Sequence, residues 1–399
     1  MRVSTSQFYH QNSLQLTNKQ SDVNEQVEYL TTGKRILTAK DDAVNYSTLI
    51  GYKDELRGIE KYQRNITQAQ NRNSLQDVVI SNAEGFMNQM KQFLIQANNG
   101  TLSVTDRQSL AELAKDSVSQ LLDIANTQDE TGGYIFAGYQ VDKKPFELQP
   151  DNSVLYKGDN GVREIQIAKN INVELNQSGD DVFQKVTNYQ GDFSASYTTN
   201  TSGISLDKAL ITDRGAYDAV GSPPDYTFSF SSATDLTVTD SNNVTVFTTS
   251  SYVPGQTVAF NGIEVQVSGN PLPGDEFDLT PQAEISIFDT LKAALGWMNS
   301  PTIDGVQHAV DYKEILSQLD NSMNHLTSRR ADAGVRLQLI ESQDNSHADR
   351  EINMAKAQSN LEDLDMAKAI SNFEQSKVAL QAAQQSFIQI KNLSLFNYL

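Results

Sequence analysis

The sequence predicts a mainly α protein with a β-rich insertion: a long antiparallel helical rod built from both ends of the chain, carrying a β-rich outer domain. Three observations predict it. All nine prolines lie between Pro145 and Pro301, so 1–144 and 302–399 contain none, as helices require when an interior proline costs ~3 kcal/mol. Both proline-free arms carry apolar residues seven apart, which places them on one face of a helix. Between the arms, over about 142–283, the period changes to alternation, as in "NVTVFTTSSYV" and "VAFNGIEVQVSG", punctuated by Gly, Asn, Asp and Pro in the manner of strands.

Taken in order, the first arm opens with Tyr9, Leu16, Val23 and Leu30 at intervals of seven, set among Gln, Asn, Ser and Thr. That stripe is too thin to hold a helix by itself, so it asks for a partner. A second stripe runs through Tyr52, Ile59, Ile66, Asn73, Ile80, Met87 and Leu94, with Tyr62, Ala69, Ala83, Met90 and Ala97 three residues on. This is left-handed coiled-coil spacing, and Asn73 is the single polar entry, placed to fix register. A helix from Asn45 to Asn98 would run roughly 80 Å. "NNG" at Asn98–Gly100 is a stop signal, and Thr105 with Gln108 resembles a capping box for the next helix, which carries Leu110, Leu113, Val118, Leu121 and Ala125. "TGGYIFAGYQ" then reads as a turn with short strands.

The C-terminal arm mirrors the first. A helix around 305–345 shows Val310, Ile315, Leu319, Met323 and Leu326, then Val335, Leu337 and Leu339. After it Met366, Phe373, Leu380 and Phe387 stand seven apart, with Ile370, Ala383 and Ile390 filling in. This symmetry favours mutual pairing over two unrelated surface helices. The expected organisation is terminal coiled-coil helices at 1–42 and 356–399, a helical rod with a short β-hairpin at 43–141 and 284–355, and the outer domain at 142–283.

Composition narrows the function. Lys and Arg total 31 against 50 Asp and Glu, a net charge of −19, which argues against phosphate-backbone binding. The middle segment holds 8 Lys or Arg and 19 Asp or Glu, so −11 of that charge sits there. Cysteine is absent, which removes disulfides, thiol catalysis and Cys-ligated zinc. No stretch approaches the ~18 apolar residues of a membrane span, and the first residues lack a secretory h-region. Taken alone, that would suggest a cytoplasmic protein.

Candidate chemical sites are sparse. Asp41 and Asp42 are a conceivable carboxylate pair, but they read as caps for the helix starting near Ala43, where acidic groups complement the dipole. His10, His308, His325 and His347 show no metal-ligand spacing, and no nucleophile elbow or phosphate loop occurs. No catalytic, cofactor or metal site is expected. Lys34, Arg35, Lys40, Lys53, Arg57, Lys61, Arg64 and Arg72 form a basic stretch in an acidic chain. It is either a solvated face or an electrostatic contact to an acidic neighbour, with Arg57 and Arg64 as the test positions. Trp297, the single tryptophan, reads as packed.

Several motifs resemble one family. "TGKRILTAKDDAV" at 32–44 and "NLEDLDMAKAISNFEQSKVALQAA" at 360–383 look like the N- and C-terminal signatures of the flagellin family. "NGTLSVTDRQSLA", "TGGYIFAGYQVDKKPF" and the closing "SLFNYL" look like its hook-associated branch. The resemblance covers roughly 1–147 and 284–399. It implies a non-enzymatic structural subunit at the flagellar hook–filament junction, exported unfolded through the flagellar type III channel without a cleaved signal. Implied partners are identical subunits in a ring, another hook-associated protein on the hook side, flagellin on the filament side, and an export chaperone. Implied assembly residues are Tyr9, Leu16, Val23, Leu30, Met366, Phe373, Leu380, Phe387 and Ile390, on helices expected to be disordered in the free monomer. A filament flagellin is the first alternative, and an adhesin-like β-domain on a coiled-coil stalk the second.

Overall fold

The computed structural model describes residues 5–221, 225–301 and 305–396, with side chains from residue 7 to 389 of that range. Three helices come first: α1 Thr5–Thr32, α2 Ala43–Ala97 and α3 Val104–Ala125. Short strands follow, β1 Phe146–Leu148, β2 Val154–Tyr156, β3 Glu164–Ala168, β4 Ile171–Glu174 and β5 Val186–Thr187, with a single π turn at Asp180–Gln184. Next come β6 Phe193–Thr199, β7 Ser205–Ile211, the one-turn α4 Arg214–Asp218, β8 Tyr226–Phe230, β9 Leu236–Asp240 and β10 Thr245–Thr249. The chain continues through β11 Thr257–Phe260, β12 Ile263–Ser268, β13 Glu276–Pro281 and β14 Glu284–Ile285. It returns to helix in α5 Ile287–Met298, α6 Val306–Glu362 and α7 Met366–Phe396. The contacts divide into two units: residues 1–64 with 342–399 (unit 1), and residues 65–341 (unit 2).

In unit 2 the heptads of α2 meet α6. Lys91 pairs with Asp320, and Arg330 with Asp77 at 2.9 Å, an opposed order that makes the helices antiparallel. Ala69, Asn73, Ile80, Ala83, Met87, Leu94 and Ala97 are wholly buried. On α6 the buried partners are Leu319, Leu326, Ala333 and Ile340, again seven apart. Val335 and Leu339, expected on this face, are exposed. The heptad that starts at Leu319 runs through small Ala333, and large side chains beside it drew the reading off phase. Asn73 sets register differently from expectation: its amide donates to the Ala69 carbonyl and, at 3.0 Å, to the Glu174 carbonyl at the end of β4.

α3 is capped by Ser103 and Asp106, not by Thr105 and Gln108. The Ser103 hydroxyl accepts from the Asp106 N–H and the Asp106 carboxylate reaches back to Ser103. The same S-x-x-acid logic operates two residues earlier than expected. "TGGYIFAGYQ" folds as turns with an isolated Gln128–Tyr134 bridge, without a named strand. Within it Gly138, at φ +71°, lies so close to Asp159 that any Cβ would overlap the Asp159 carboxylate and carbonyl. The Asp159 carboxylate accepts the Tyr139 N–H at 2.8 Å, which fixes this turn.

The outer domain starts later than expected. Phe146, Val182, Phe183 and Val186 join Phe136, Phe288, Leu291 and the heptads of α2 and α6 in one core. Residues 142–186 therefore belong with the helices, because their aromatic side chains cover the α3–α5 side of the bundle. The second core begins at Phe193 and contains Tyr226, Phe228, Val265, Phe277 and Leu279. A five-stranded sheet (β10-β9-β8-β13-β6) and a three-stranded sheet (β11-β12-β7), with antiparallel pairing throughout, enclose it. Phe228 stacks on Phe277 with centroids 4.7 Å apart. Alternating burial along β8 and β12 is what the two-residue sequence period dictates.

Candidate assembly interface

Unit 1 holds the residues singled out for assembly, and its centre is a carboxylate. The Glu362 side chain, 3% exposed at the end of α6, accepts from Lys34 Nζ at 2.7 Å and Lys53 Nζ at 2.8 Å. Burial alone would raise its pKa, but hydrogen bonds from Lys34, Lys53 and Gln358 outweigh that and hold it at about 2. The backbone repeats the closure: the Arg35 N–H donates to the Glu362 carbonyl at 2.6 Å, and the Leu364 N–H to the Gly33 carbonyl at 3.0 Å. Gly33 turns the chain at φ +66° after α1, a conformation that glycine adopts without penalty.

The turn between α1 and α2 explains Asp41 and Asp42. Asp42 accepts the Asn45 N–H at 3.1 Å and so caps α2. Asp41 accepts the N–H groups of Leu37 and Thr38 at 2.9 and 2.8 Å, and receives the Tyr29 hydroxyl at 3.0 Å. Burial and that hydrogen bond push the Tyr29 phenol up. Antiparallel to the start of α2, α6 supplies Arg350 to Glu55 at 2.6 Å, Glu351 to Gln63 at 3.0 Å, and a His347 ring stacked on Tyr62.

The helical ends pair with each other. Tyr9 meets Phe387 edge-on, centroids 5.3 Å apart. Leu16, Val23, Leu30 and Phe373 are half-buried, Leu380 and Ala369 buried. Met366 is 48% exposed, and the side chain of Ile390 lies outside the described residues. The heptad stripes thus serve the pair inside one chain. Beside them α7 leaves Ile370 and Ile388 more than half exposed. Those two are eighteen residues apart, five helical turns, and so share one line along the helix. Sequence reading named Ile370 only as filler and passed over Ile388 and Val378, because they fall outside the seven-residue count.

The basic stretch resolves into two classes. Lys34, Arg35, Lys40, Lys53 and Arg72 pair with Glu362, Asp42, Glu25, Glu362 and Asp129 respectively. Arg57, Lys61 and Arg64 stay exposed at i, i+4 and i+7 of α2, and among the described residues Arg57 forms an ion pair with Asp54 one turn away. No group of His, Asp or Glu residues among those described is arranged to hold a metal ion, and no described helix is long and apolar enough to cross a membrane.

Two proline-free helical arms that meet through α1 with α7 and through α2 with α6, with a strand-rich insertion between them in sequence, define a flagellin-like fold class. Residues 3–141 match the bacterial flagellin N-terminal helical region and residues 316–399 the bacterial flagellin C-terminal helical region, and the chain belongs to the flagellin family. Over 400 residues it is 26% identical to the flagellar hook-associated protein 3 of Escherichia coli, with 99% of each chain covered. Its fold matches the flagellar junction protein of Legionella pneumophila with a TM-score of 0.65 and 28% identity, covering 79% of this chain and 99% of that one. Polar flagellin C of Vibrio parahaemolyticus is 21% identical over 391 residues, covering 94% and 92%.

Proposed function

We propose that the chain is a structural, non-enzymatic subunit of the bacterial flagellum that joins hook to filament. What carries this reading is the end-to-end likeness to hook-associated protein 3, 26% identical over 99% of each chain, against 21% for polar flagellin C over 94% of this chain. Its partners are copies of itself, another hook-associated protein on the hook side, flagellin on the filament side and an export chaperone. It works outside the cell after type III export.

The terminal helices are the working surface. A stripe only half-buried by one partner helix, with Ile370 and Ile388 bare beside it, suits helices that fold fully only among neighbouring copies. Helices in proteins owe most of their stability to packing of an apolar face, and ordering costs ~1–2 kcal/mol per residue. Folding of the terminal helices α1 and α7 and assembly are then one event. Arg57, Lys61 and Arg64 present a cationic ridge to an acidic neighbour. Deletion of the gene tests the main reading: loss of the filament with flagellin released into the medium supports it, and intact motility overturns it. Complementation with Phe373→Asp tests the surface. Secretion without filament growth is expected, and normal filaments would remove the helical ends from the interface.

A further inference from the structure

One ionisable carboxyl group takes part in seating the outer sheets on α6, beside Gln318, Asn321 and Lys313. Glu314 Oε1 accepts from the Tyr197 hydroxyl of β6 at 2.7 Å and from Gln190 Nε2, in the loop before β6, at 3.1 Å. Both donors also hold Leu206 of β7. Its N–H donates to the Tyr197 hydroxyl at 2.8 Å, and its carbonyl accepts from Gln190 Nε2 at 3.0 Å. A single helix side chain therefore gathers the loop, β6 and β7. Both of its donors are neutral, and its sequence neighbour Lys313 turns to Asp207 at 3.6 Å instead. Around the carboxyl stand Asp311 and Lys313 from α6, Tyr189 from the loop, Tyr197 from β6 and Asp207 from β7. From the α5 side a cleft of about 390 Å³, lined by Trp297, Ser300, His308, Asp311 and Glu314, opens onto it.

We propose that Glu314 is a proton-operated clasp: while it keeps its proton it seats the β6–β7 edge of the outer domain on α6, and losing the proton loosens that seat. Withdrawal from water and the like-charged Asp311 one turn away disfavour the carboxylate in this position, against the pull of its two donors and of Lys313. Burial is the largest influence and raises the group. The Tyr197 and Gln190 hydrogen bonds pull the other way, Asp311 pushes up again, and the result is about 7 against an ordinary 4.5. Between those values the seated form binds more protons than the released form, so seating weakens as pH rises from about 4.5 to 7 and levels off above. The β6–β7 edge is thus held more firmly in acid surroundings than in neutral or alkaline ones, while the Tyr189 N–H to Gln318 and Lys313–Asp207 contacts persist.

Two measurements on the full chain test the clasp. Carboxyl-detected ¹³C NMR of Glu314, assigned through its own backbone amide, should titrate near 7, and a midpoint near 4.5 overturns the proposal without any variant. Exchange protection of the Leu206 amide, corrected for intrinsic rates, should fall at least about tenfold between pH 5 and 8, the change worth one pKa unit. Glu314→Gln keeps an acceptor for both donors and cannot ionise, so its protection should stay flat across that range. Matching pH profiles for the variant and the wild type would overturn the clasp. If Glu314→Gln fails to fold, Tyr197→Phe serves in its place, with Leu206 protection reduced at pH 5 and a shallower pH response. A response as steep as that of the wild type would again overturn it.

Discussion

In unit 2 Ile80, Met87 and Leu94 are wholly buried, whereas in unit 1 Tyr9, Leu16, Val23 and Leu30, spaced the same seven residues apart, are only half-buried. The spacing sets which face of a helix is apolar. How far that face is covered depends on how many elements lie over it. The α2 heptads are covered by α3, α5, α6 and the aromatic residues Phe136, Phe146 and Phe183. The α1 stripe packs against α7. Unit 2 covers its own apolar stripes, whereas unit 1 leaves its stripes half open.

The contrast is sharpest in paired truncations. Leu94→Ala should cost about 2–5 kcal/mol in denaturant unfolding, since a fully enclosed side chain leaves a cavity. Ile370→Ala, at a side chain more than half exposed, should leave that transition within about 0.5 kcal/mol while crippling assembly. Equal losses at the two sites would erase the distinction between the units. Next in size is Glu362, the hub of unit 1. Its folded-state pKa, about 2, lies below the ordinary 4.5, so its contribution is present above pH 4.5 and is lost as pH falls from there toward 2. Relative to Glu362→Gln, wild-type unit 1 should lose its advantage across that window, read by the urea midpoint of a probe on α1.

Asn73→Ala leaves the buried Glu174 carbonyl without its donor, which should cost about 1–3 kcal/mol by chemical denaturation. Ser103→Ala removes the α3 cap at about 1 kcal/mol, visible in the thermal midpoint. The smallest effect on the monomer belongs to Arg64→Glu. Exposed charges contribute about 0–1 kcal/mol, so stability should hold while assembly slows, most visibly at low salt. Equal damage to monomer stability would place Arg64 inside the subunit.

Much of the helical architecture was legible because buried faces leave a period: Ile59 to Leu94 could be counted off the chain, and each is buried. Ala333 was missed because a small residue at a heptad position carries little hydrophobic signal. The outer-domain boundary was misplaced at 142 because Phe146 sits in a short strand and Phe183 in the π turn among such strands, and strand period alone does not tell which core a segment serves. For the candidate interface, Phe373, Leu380 and Phe387 were found from spacing. Glu362 was not, since a carboxylate is buried only by virtue of Lys34 and Lys53, more than 300 residues earlier in the chain. Arg57 and Arg64 were identifiable as cations but not as exposed ones, because ion-pair partners such as Asp42 and Asp129 are set by the fold.

That last distance carries a kinetic consequence. The Gly33–Leu364 and Arg35–Glu362 backbone bonds close a loop of more than 300 residues, among the least local contacts a chain of this length can make. Contacts of such separation form late, after the loop-closure entropy has been met. A chain emerging from its N-terminus carries Lys34 and Lys53 with no counterpart until almost all of it has appeared. Unit 1 therefore closes last, and the arrival of residue 362 acts as its timer.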